Sequence, residues 1–501
     1  MLRSFTVRTS SSKLANRRRK VKFLLRCLAV SELPSEMAVE DSRAATIVAR
    51  ESGLARSLKP AQLAMLGLGS TIGTGLFLGS AIAVKLAGPA VILSFVAGAL
   101  IALPMMWALA EMAAAHPAAG SFGLYAEMYL HPWAGFAIRL TYWLCMMVVV
   151  GSEVVAASIY CRLWSARTPA WMWIALFSVL ILYVNTIHIG NLGTFESWLS
   201  LVKVVTILAF LVLGSAWLFG IGLPKVGFAN YTADGGFLPH GWSGVGLGVI
   251  LGLFSFFGIE VVASTAGEAA NSKEAVPKAL RTTVAALILF YVAGLALVVG
   301  IVPWKQIDMG ASPFVRVFQT VGIPAASHIM NFVVLTAALS SAVANLYFAA
   351  RLAFSLARAG YLPRTLGRLN KKGMPMIAVL VSGAGMVPAM LLSKYFPDSL
   401  FVSMIAVSTF GALFAWLMTL ATHLAFRRYH HRQARPYLRL GPRGPWASLA
   451  GLVAVLAVML STWWVPGFRI LLATGVPWLA LLTVCYFVWR RNYPRTSGLG
   501  E

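Results

Sequence analysis

The sequence predicts an all-α polytopic membrane protein with about twelve membrane-spanning helices. Of its 501 residues, 59% are hydrophobic and only 11% are charged, whereas a soluble domain averages about 25% charged residues. Apolar runs long enough to cross a bilayer recur from residue 61 to residue 489. No polar stretch of domain size interrupts them, and they lack the two-residue alternation of a membrane β-barrel.

Twelve apolar segments follow one another along the chain. They cover about residues 61–84, 91–115, 133–160, 170–187, 195–219, 245–266, 280–302, 325–354, 377–392, 401–424, 447–464 and 470–489. Residues 1–60 are polar and basic, and we expect a cytoplasmic tail there. Residues 1–36 have the composition of a transit peptide, and a misassigned start with Met37 as initiator is the alternative.

The formal net charge of +25 comes from a few basic blocks that flank apolar segments. They lie in the N-terminal tail, after segment 8 (residues 358–372), after segment 10 (residues 427–443) and at residues 490–491. Cytoplasmic loops of membrane proteins carry this excess of Lys and Arg, so both termini are predicted to be cytoplasmic. Anionic lipid headgroups, rather than nucleic acid, are the partners expected for these blocks.

Neither metal nor disulfide chemistry is indicated. The cysteines Cys27, Cys145, Cys161 and Cys485 are scattered in or beside apolar segments without a paired spacing. The pair His430-His431 falls in the most basic stretch, where we expect a solvated loop because no carboxylate or cysteine accompanies it. No cofactor and no metal site are therefore predicted.

Segment 1 contains the glycine-rich stretch GLGSTIGTGLFLG, residues 67–79. Polar and glycine-rich backbone at membrane depth is tolerated only where it faces a cavity or other protein. A break there would leave N–H groups without partners at the new helix start, ready for a carboxylate. The alternative is close helix packing, since Gly69, Gly73, Gly75 and Gly79 form two small-xxx-small patterns.

Segment 6 supplies a second interruption in the stretch FSFFGIEVVASTA. Ser255, Gly258 and Glu260 lie within an apolar run there, and charge at depth is rarely placed without function. Interrupted segments at positions 1 and 6 predict two inverted repeats of five helices, with the substrate bound between the broken helices. This second break favours the binding interpretation of segment 1 over the packing one.

Several stretches together resemble the amino acid permeases of the amino acid–polyamine–organocation superfamily, in the amino acid transporter branch. They are GSTIGTGLFLGS, ALAEMAAAHPAAGSFGLYA, FESWLSLVKVVTILAF, FSFFGIEVVASTAGEAANSKEAVPKAL and SPFVRVFQTVGIPAASHIMNFVVLTAALSS. The resemblance implies the leucine-transporter fold, with a transporter core over residues 61–430. A basic cytoplasmic loop (431–445), segments 11 and 12 (446–490) and a cytoplasmic tail (491–501) complete the chain.

The resemblance also implies the substrate site. The substrate carboxylate would meet the backbone N–H groups of Gly73, Thr74 and Gly75, and the ammonium would meet carbonyls at both breaks, in keeping with half-helix dipoles. The implied set is Ser70, Thr71, Ile72, Gly73, Thr74, Gly75, Phe254, Ser255, Phe256, Phe257 and Gly258. Phe254 takes the place of an aromatic lid, with plain packing as the alternative.

Three ionisable residues are candidates for proton coupling: Lys203, Glu260 and Glu153. Burial disfavours the charged form of an ammonium, so Lys203 can release a proton, and similar permeases carry a lysine on this segment. A structural salt bridge between Lys203 and Glu153 is the alternative. Glu153 could instead orient the substrate amine, and Ser340 and Ser341 resemble the hydroxyl ligands of a sodium site.

Glu111 and Glu268, near cytoplasmic helix ends, are predicted to hold an inner gate by pairing with Lys278 or Arg281. The function that follows is import of an amino acid, expected to be neutral, by proton symport through the inner or plasma membrane. An exchanger or a sodium-coupled symporter on the same fold is the alternative. A channel or a membrane-embedded enzyme is disfavoured, because neither a continuous polar pore nor a catalytic motif is evident. The sequence leaves the oligomeric state open.

Overall fold

The computed structural model describes residues 46, 47 and 49 and most of residues 59–492. The described ranges are 59–117, 121–186, 189–221, 225–265, 269, 272–308, 310–397, 399–432, 445–465 and 467–492. The chain divides into two units, Met1–Arg50 and Glu51–Glu501. All the helices described next belong to the second unit.

Within the described residues this unit forms twelve apolar helices, α1 to α12, of which α1 and α6 are each broken in two. They are α1a (Pro60–Thr71), α1b (a π-helical turn Gly75–Gly79 that continues as Ser80–Ala87), α2 (Val91–Ala115), α3 (Pro132–Cys161), α4 (Ala170–Asn185), α5 (Ile189–Phe219), α6a (Gly241–Phe256), α6b (Val261–Ser264), α7 (Ser272–Ile301), α8 (Pro324–Arg358), α9 (Met376–Gly383 and Met386–Leu392), α10 (Leu400–Arg432), α11 (Trp446–Ser461) and α12 (Arg469–Asn492). Two short helices, Ser121–Tyr129 and Pro313–Thr320, lie in the connections.

Length and hydropathy agree with membrane crossing. Among the described residues, nine helical stretches are long and apolar enough to span, and the first of them, Pro60–Ala115, holds both α1 and α2. The remaining two, α4 and α9, are shorter apolar helices. The predicted all-α polytopic fold is therefore confirmed, with broken helices at the first and sixth positions.

The helices pack in an order that brings the two breaks together. Helix α2 packs against α6a and α7, and α3 packs against α4, α8 and α10. Helix α5 contacts α1a, α7 and α8. Helices α11 and α12 have only 28% and 22% of their most apolar windows buried, and α5 has 28%. Their exposed apolar side chains suit a lipid-facing position.

Helix α10 runs farther than hydropathy predicts, and this corrects one expectation. The apolar run ends near residue 424, yet the helix continues to Arg432. The pair His430-His431 therefore lies in a helix and not in a loop. His430 is buried, with its ring centroid 4.1 Å from that of Phe426. Polar side chains ended the apolar pattern, but burial keeps this turn helical. Residues 433–444 of the predicted basic loop lie outside the described residues.

Candidate functional site

The break in α1 falls where the sequence predicts it. Helix α1a ends at Thr71, and Ile72, which is buried, leaves the helical region with φ −80° and ψ 83°. Helix α1b then starts, and the backbone N–H of Thr74 donates to Glu153 Oε2 of α3 over 3.3 Å. The Glu153 carboxylate thus already lies at the N-terminal end of α1b, and the N-terminal end of a helix attracts anions.

The break in α6 lies directly against it. Phe257 is extended at φ −65° and ψ 148°, and Gly258 adopts φ +99° before α6b begins. A Cβ built on Gly258 would lie 2.6 Å from Ser70 Oγ and 3.0 Å from the Ser70 carbonyl oxygen. Two reasons require glycine at position 258: its positive φ, which residues with a side chain rarely adopt, and the close approach of α1a.

The carbonyl ends of both half-helices accept hydrogen bonds from one tyrosine. The Tyr291 hydroxyl of α7 lies 2.9 Å from the carbonyl oxygen of Thr71 and 2.8 Å from that of Ser255. The preceding carbonyl, that of Ser70, accepts from Ser341 Oγ of α8 over 2.9 Å. These carbonyls had been predicted to meet a substrate ammonium. Tyr291 was not among the predicted residues, because nothing in its apolar run marks its hydroxyl as a partner of both breaks.

A chain of polar side chains connects α1a, α8 and α3. Ser70 Oγ lies 2.6 Å from Asn345 Oδ1, and Asn345 Nδ2 donates to Ser341 Oγ over 3.2 Å. Ser341 Oγ lies 2.9 Å from Glu153 Oε1. Glu153 Oε2 therefore accepts from the Thr74 N–H, and Oε1 shares the one Ser341 hydroxyl proton with the Ser70 carbonyl. Every member of this chain is buried, and buried polar groups need partners of this kind.

The two breaks enclose a cavity of about 20 Å³. It is lined by Ser70, Thr71, Gly75, Met146, Val149, Glu153, Phe254, Phe257, Gly258 and Asn345. This volume has room for about one water molecule and is far too small for an amino acid. An amino acid can therefore enter this site only if the helices around it move apart.

The predicted aromatic residues lie on both sides of this cavity wall. Phe254 and Phe257 line the cavity, and their rings meet edge to face with centroids 5.9 Å apart. Phe256 faces away from it, with its ring 5.2 Å from that of Tyr291. The lid role of Phe254 stays a prediction, since its packing against Phe257 is equally compatible with a purely structural role.

Lys203 is buried in α5 and reaches the last turn of α1a. Its Nζ donates to the carbonyl oxygen of Gly69 over 2.7 Å. The predicted alternative, a salt bridge to Glu153, is not formed; that carboxylate acts on Lys203 only at longer range, as does Glu196. Glu196 was missed by the sequence analysis, although it lies seven residues before Lys203 and hence on the same helix face.

Glu260 forms hydrogen bonds at the break in α6. Its Oε2 accepts from the backbone N–H of Gly258 over 2.8 Å, and its Oε1 accepts from Trp416 Nε1 of α10. The Trp416 ring also packs edge to face on Phe257. These contacts are those of a residue that holds the α6 break in shape, and a proton-relay role for Glu260 remains a prediction.

The predicted gate residue Glu111 has different partners from those expected. Instead of Lys278 or Arg281 it binds two residues of α10: its Oε2 lies 2.8 Å from His423 Nε2, and its Oε1 lies 2.6 Å from Arg427 Nη2. Hydropathy had ended segment 10 just after His423, so Arg427 was assigned to a loop. The other predicted gate residue, Glu268, lies outside the described residues.

No group of three or more His, Cys, Asp or Glu side chains that could hold a metal ion occurs within the part of the chain that the structure describes.

Membrane-spanning helices with two interrupted members that face one central cavity define the class of secondary transporters. The family model described as "Amino acid permease" matches residues 62–497. The chain belongs to the amino acid permease family.

Curated relatives agree over nearly their whole length. The chain is 36% identical over 446 residues to the gamma-aminobutyric acid permease of Bacillus subtilis (strain 168), covering 88% of this chain and 95% of that protein. It is 35% identical over 437 residues to the aromatic amino acid transport protein AroP of Escherichia coli (strain K12), covering 86% and 95%. The uncharacterized amino acid permease YtnA of Bacillus subtilis (strain 168) is 35% identical over 438 residues. The protein is therefore a multi-pass membrane transporter of amino acids and not an enzyme.

Proposed function

We propose that the protein imports a neutral amino acid together with a proton by alternating access. The observation that carries this proposal is the bond from the buried Lys203 ammonium to the carbonyl oxygen of Gly69. Gly69 lies in the last turn of α1a, immediately before the break that would bind the substrate. A change in the charge of Lys203 or of the carboxylates around it would thus act on the helix that holds the substrate.

The substrate is expected to replace internal partners at the two breaks. Its carboxylate would take the N–H of Thr74, which now donates to Glu153. Its ammonium would take carbonyls that now accept from Tyr291 and Ser341. Helix starts favour anions and helix ends favour cations, so both exchanges suit the half-helix dipoles.

A substrate without net charge fits the cavity lining best. Glu153 is the one ionisable residue among the described residues that line the cavity, and the walls are otherwise apolar or uncharged. The relatives named for γ-aminobutyric acid and for aromatic amino acids are named for zwitterions without net charge. Those two substrates place the ammonium differently, so the individual amino acid has to come from experiment.

The small volume of the cavity supports alternating access. A volume of about 20 Å³ must open to one side of the membrane and then to the other, and rigid-body movement of helix groups is the usual way.

The even number of spans and the basic blocks after α8 and α10 support cytoplasmic termini. We assign the protein on this basis to the inner or plasma membrane.

Uptake into proteoliposomes tests the proposal. A labelled amino acid is imported against a panel of unlabelled competitors, with and without an inward proton gradient and with and without sodium. Wild-type protein is expected to accumulate the label only when the gradient is present. Lys203→Met is expected to lose that accumulation, whereas Lys394→Met, at an exposed lysine, serves as the matched control.

Other outcomes select the alternatives. Uptake that needs amino acid inside the vesicles and ignores the proton gradient would make the protein an exchanger. Accumulation that requires sodium would make it a sodium symporter. If Lys203→Met accumulates the label as the wild type does, the role of Lys203 in coupling is wrong.

A further inference from the structure

Glu196 is a buried carboxylate that the proposed substrate site does not use. It lies in α5 and has no exposed surface. Its Oε1 accepts a hydrogen bond from Ser340 Oγ of α8 and a longer one, 3.4 Å, from Ser200 Oγ. Its Oε2 is buried and has no hydrogen-bond partner within the described part of the chain. An ionised oxygen without a donor is costly at this depth.

Glu196 and Lys203 meet α1a at the same residue. Positions 196, 200 and 203 are spaced four and three apart, so all three side chains lie on one face of α5. Lys203 donates to the carbonyl oxygen of Gly69. A Cβ on Gly69 would overlap Glu196 Oε1 and would lie 2.6 Å from Ser200 Oγ. The carboxylate therefore packs directly on the backbone of the last turn of α1a.

When fully ionised, the cluster of Lys203, Glu196 and Glu153 carries one more negative charge than positive charges. Lys203 carries one positive charge and lies within electrostatic range of two carboxylates, Glu196 and Glu153. The cluster of the three has a net charge of −1 when all are ionised, and one added proton makes it neutral. Around Glu196, α1a and α8 contribute the uncharged Gly69 and Ser340, so Lys203 is its nearest charged neighbour among the described residues.

The hydrogen bonds indicate which carboxylate can take that proton. Glu153 Oε2 accepts from the Thr74 N–H, and its Oε1 lies 2.9 Å from Ser341 Oγ, whose one proton it shares with the Ser70 carbonyl. Glu196 Oε2 accepts from no described group, so ionised Glu196 leaves one buried oxygen without a donor, and protonation removes that cost. We propose, on the basis of the proton symport proposed above, that Glu196 is the acceptor of the coupling proton.

The proposed step is a simple protonation. A proton from the outer aqueous side binds the Glu196 carboxylate to give the neutral acid, and the same proton leaves to the cytoplasm after the helices have moved. When Glu196 is neutral, Glu153 remains as the single counter-charge of Lys203. The balance of attraction on the ammonium then shifts from α5 toward α3, and its hold on Gly69 of α1a weakens. Proton binding is thereby linked to the helix that carries the substrate break.

Glu196→Gln tests this inference, because glutamine keeps an oxygen that can accept from Ser340 and Ser200 but cannot carry the proton. Glu274→Gln is the matched control, since it makes the same change at an exposed glutamate of α7. A one-unit pH gradient coupled one-to-one supports about a tenfold accumulation. We expect Glu196→Gln to lose this accumulation and to retain exchange of labelled for unlabelled substrate, and Glu274→Gln to retain both.

Proton uptake on substrate binding gives the second measurement. In weakly buffered detergent solution a pH indicator reports protons taken up when substrate binds. Wild type is expected to take up about one proton per site at a pH where Glu196 is ionised, and Glu196→Gln none while still binding substrate. Undiminished accumulation or proton uptake by Glu196→Gln overturns the inference, and so does loss of both substrate binding and exchange. If the wild type itself ignores the proton gradient, the proposed symport has failed, whatever the variants do.

Discussion

Gly258→Ala is the substitution whose consequence follows most directly from the geometry of the site. Gly258 adopts φ +99°, a region that costs a residue with a side chain about 1–3 kcal/mol. The new Cβ would also lie 2.6 Å from Ser70 Oγ and 3.0 Å from the Ser70 carbonyl oxygen. Backbone cannot rotate away as a side chain can, so α1a would have to shift, and overpacking of this kind costs about 1–3 kcal/mol more.

The chain offers a matched control in the same broken helix. At Gly246 of α6a, an added Cβ would have no neighbouring atom within 4 Å, so alanine fits there without contact. In a helix interior alanine is favoured over glycine by about 0.5–1 kcal/mol. Gly246→Ala is therefore expected to be neutral or slightly stabilising.

The assay compares thermal unfolding of the purified proteins in detergent and substrate exchange in proteoliposomes. Gly258→Ala is expected to unfold at a clearly lower temperature than Gly246→Ala and to exchange substrate poorly, because the two breaks no longer meet. If the two variants are equally stable and equally active, the close contact between Ser70 and Gly258 does not exist in the working protein.

Three further substitutions test other contacts. Tyr291→Phe removes the hydroxyl that the carbonyls of Thr71 and Ser255 share. The Thr71 carbonyl keeps the N–H of Gly73 as a donor, whereas the buried Ser255 carbonyl loses its donor at about 1–3 kcal/mol. The substrate-free protein should therefore melt earlier and added substrate should restore part of the loss; an equal loss with and without substrate would argue against the shared carbonyls. Glu111→Gln removes the carboxylate that pairs with the buried Arg427, which is expected to cost about 3–5 kcal/mol, and Arg427→Met should recover part of this in the double variant; additive losses would contradict their coupling. Phe254→Ala should enlarge the cavity and let bulkier amino acids compete for uptake, and an unchanged competition profile would remove Phe254 from the site.

The broken helices could be predicted because their cause is local. Ser70, Thr71 and Gly73 in an apolar run conflict with a continuous lipid-facing helix whatever surrounds them. Lys203, a charged residue within the apolar run of α5, can likewise be recognised from the sequence alone. The family resemblance then supplied the order of the helices, which no single segment specifies.

The partners of these residues depended on three-dimensional packing. Tyr291 is an ordinary tyrosine in an apolar run until α7 brings its hydroxyl to the carbonyls of both breaks. Glu111 was expected to pair elsewhere because hydropathy ended segment 10 before Arg427, whereas pairing with Glu111 lets Arg427 be buried in a longer α10.

Glu196 is a different case, since its position could have been inferred. A Glu seven residues before a membrane-embedded Lys, with Ser200 between them on the same face, is a periodic pattern. This spacing alone places Glu196, Ser200 and Lys203 on one face of α5. The small volume of the cavity, in contrast, belongs to one conformation. The same sequence must adopt every state of a transport cycle, so it does not specify the volume of the cavity in any one state.

The central claim, that an amino acid and a proton cross together, is tested most directly by measuring the proton itself. Proteoliposomes that contain a trapped pH indicator receive a zwitterionic amino acid outside, with no initial pH gradient and with a potassium-clamped negative interior. We expect the lumen to acidify in step with substrate uptake, with about one proton per molecule, and Lys203→Met to abolish the acidification. Substrate uptake with an unchanged internal pH would contradict it.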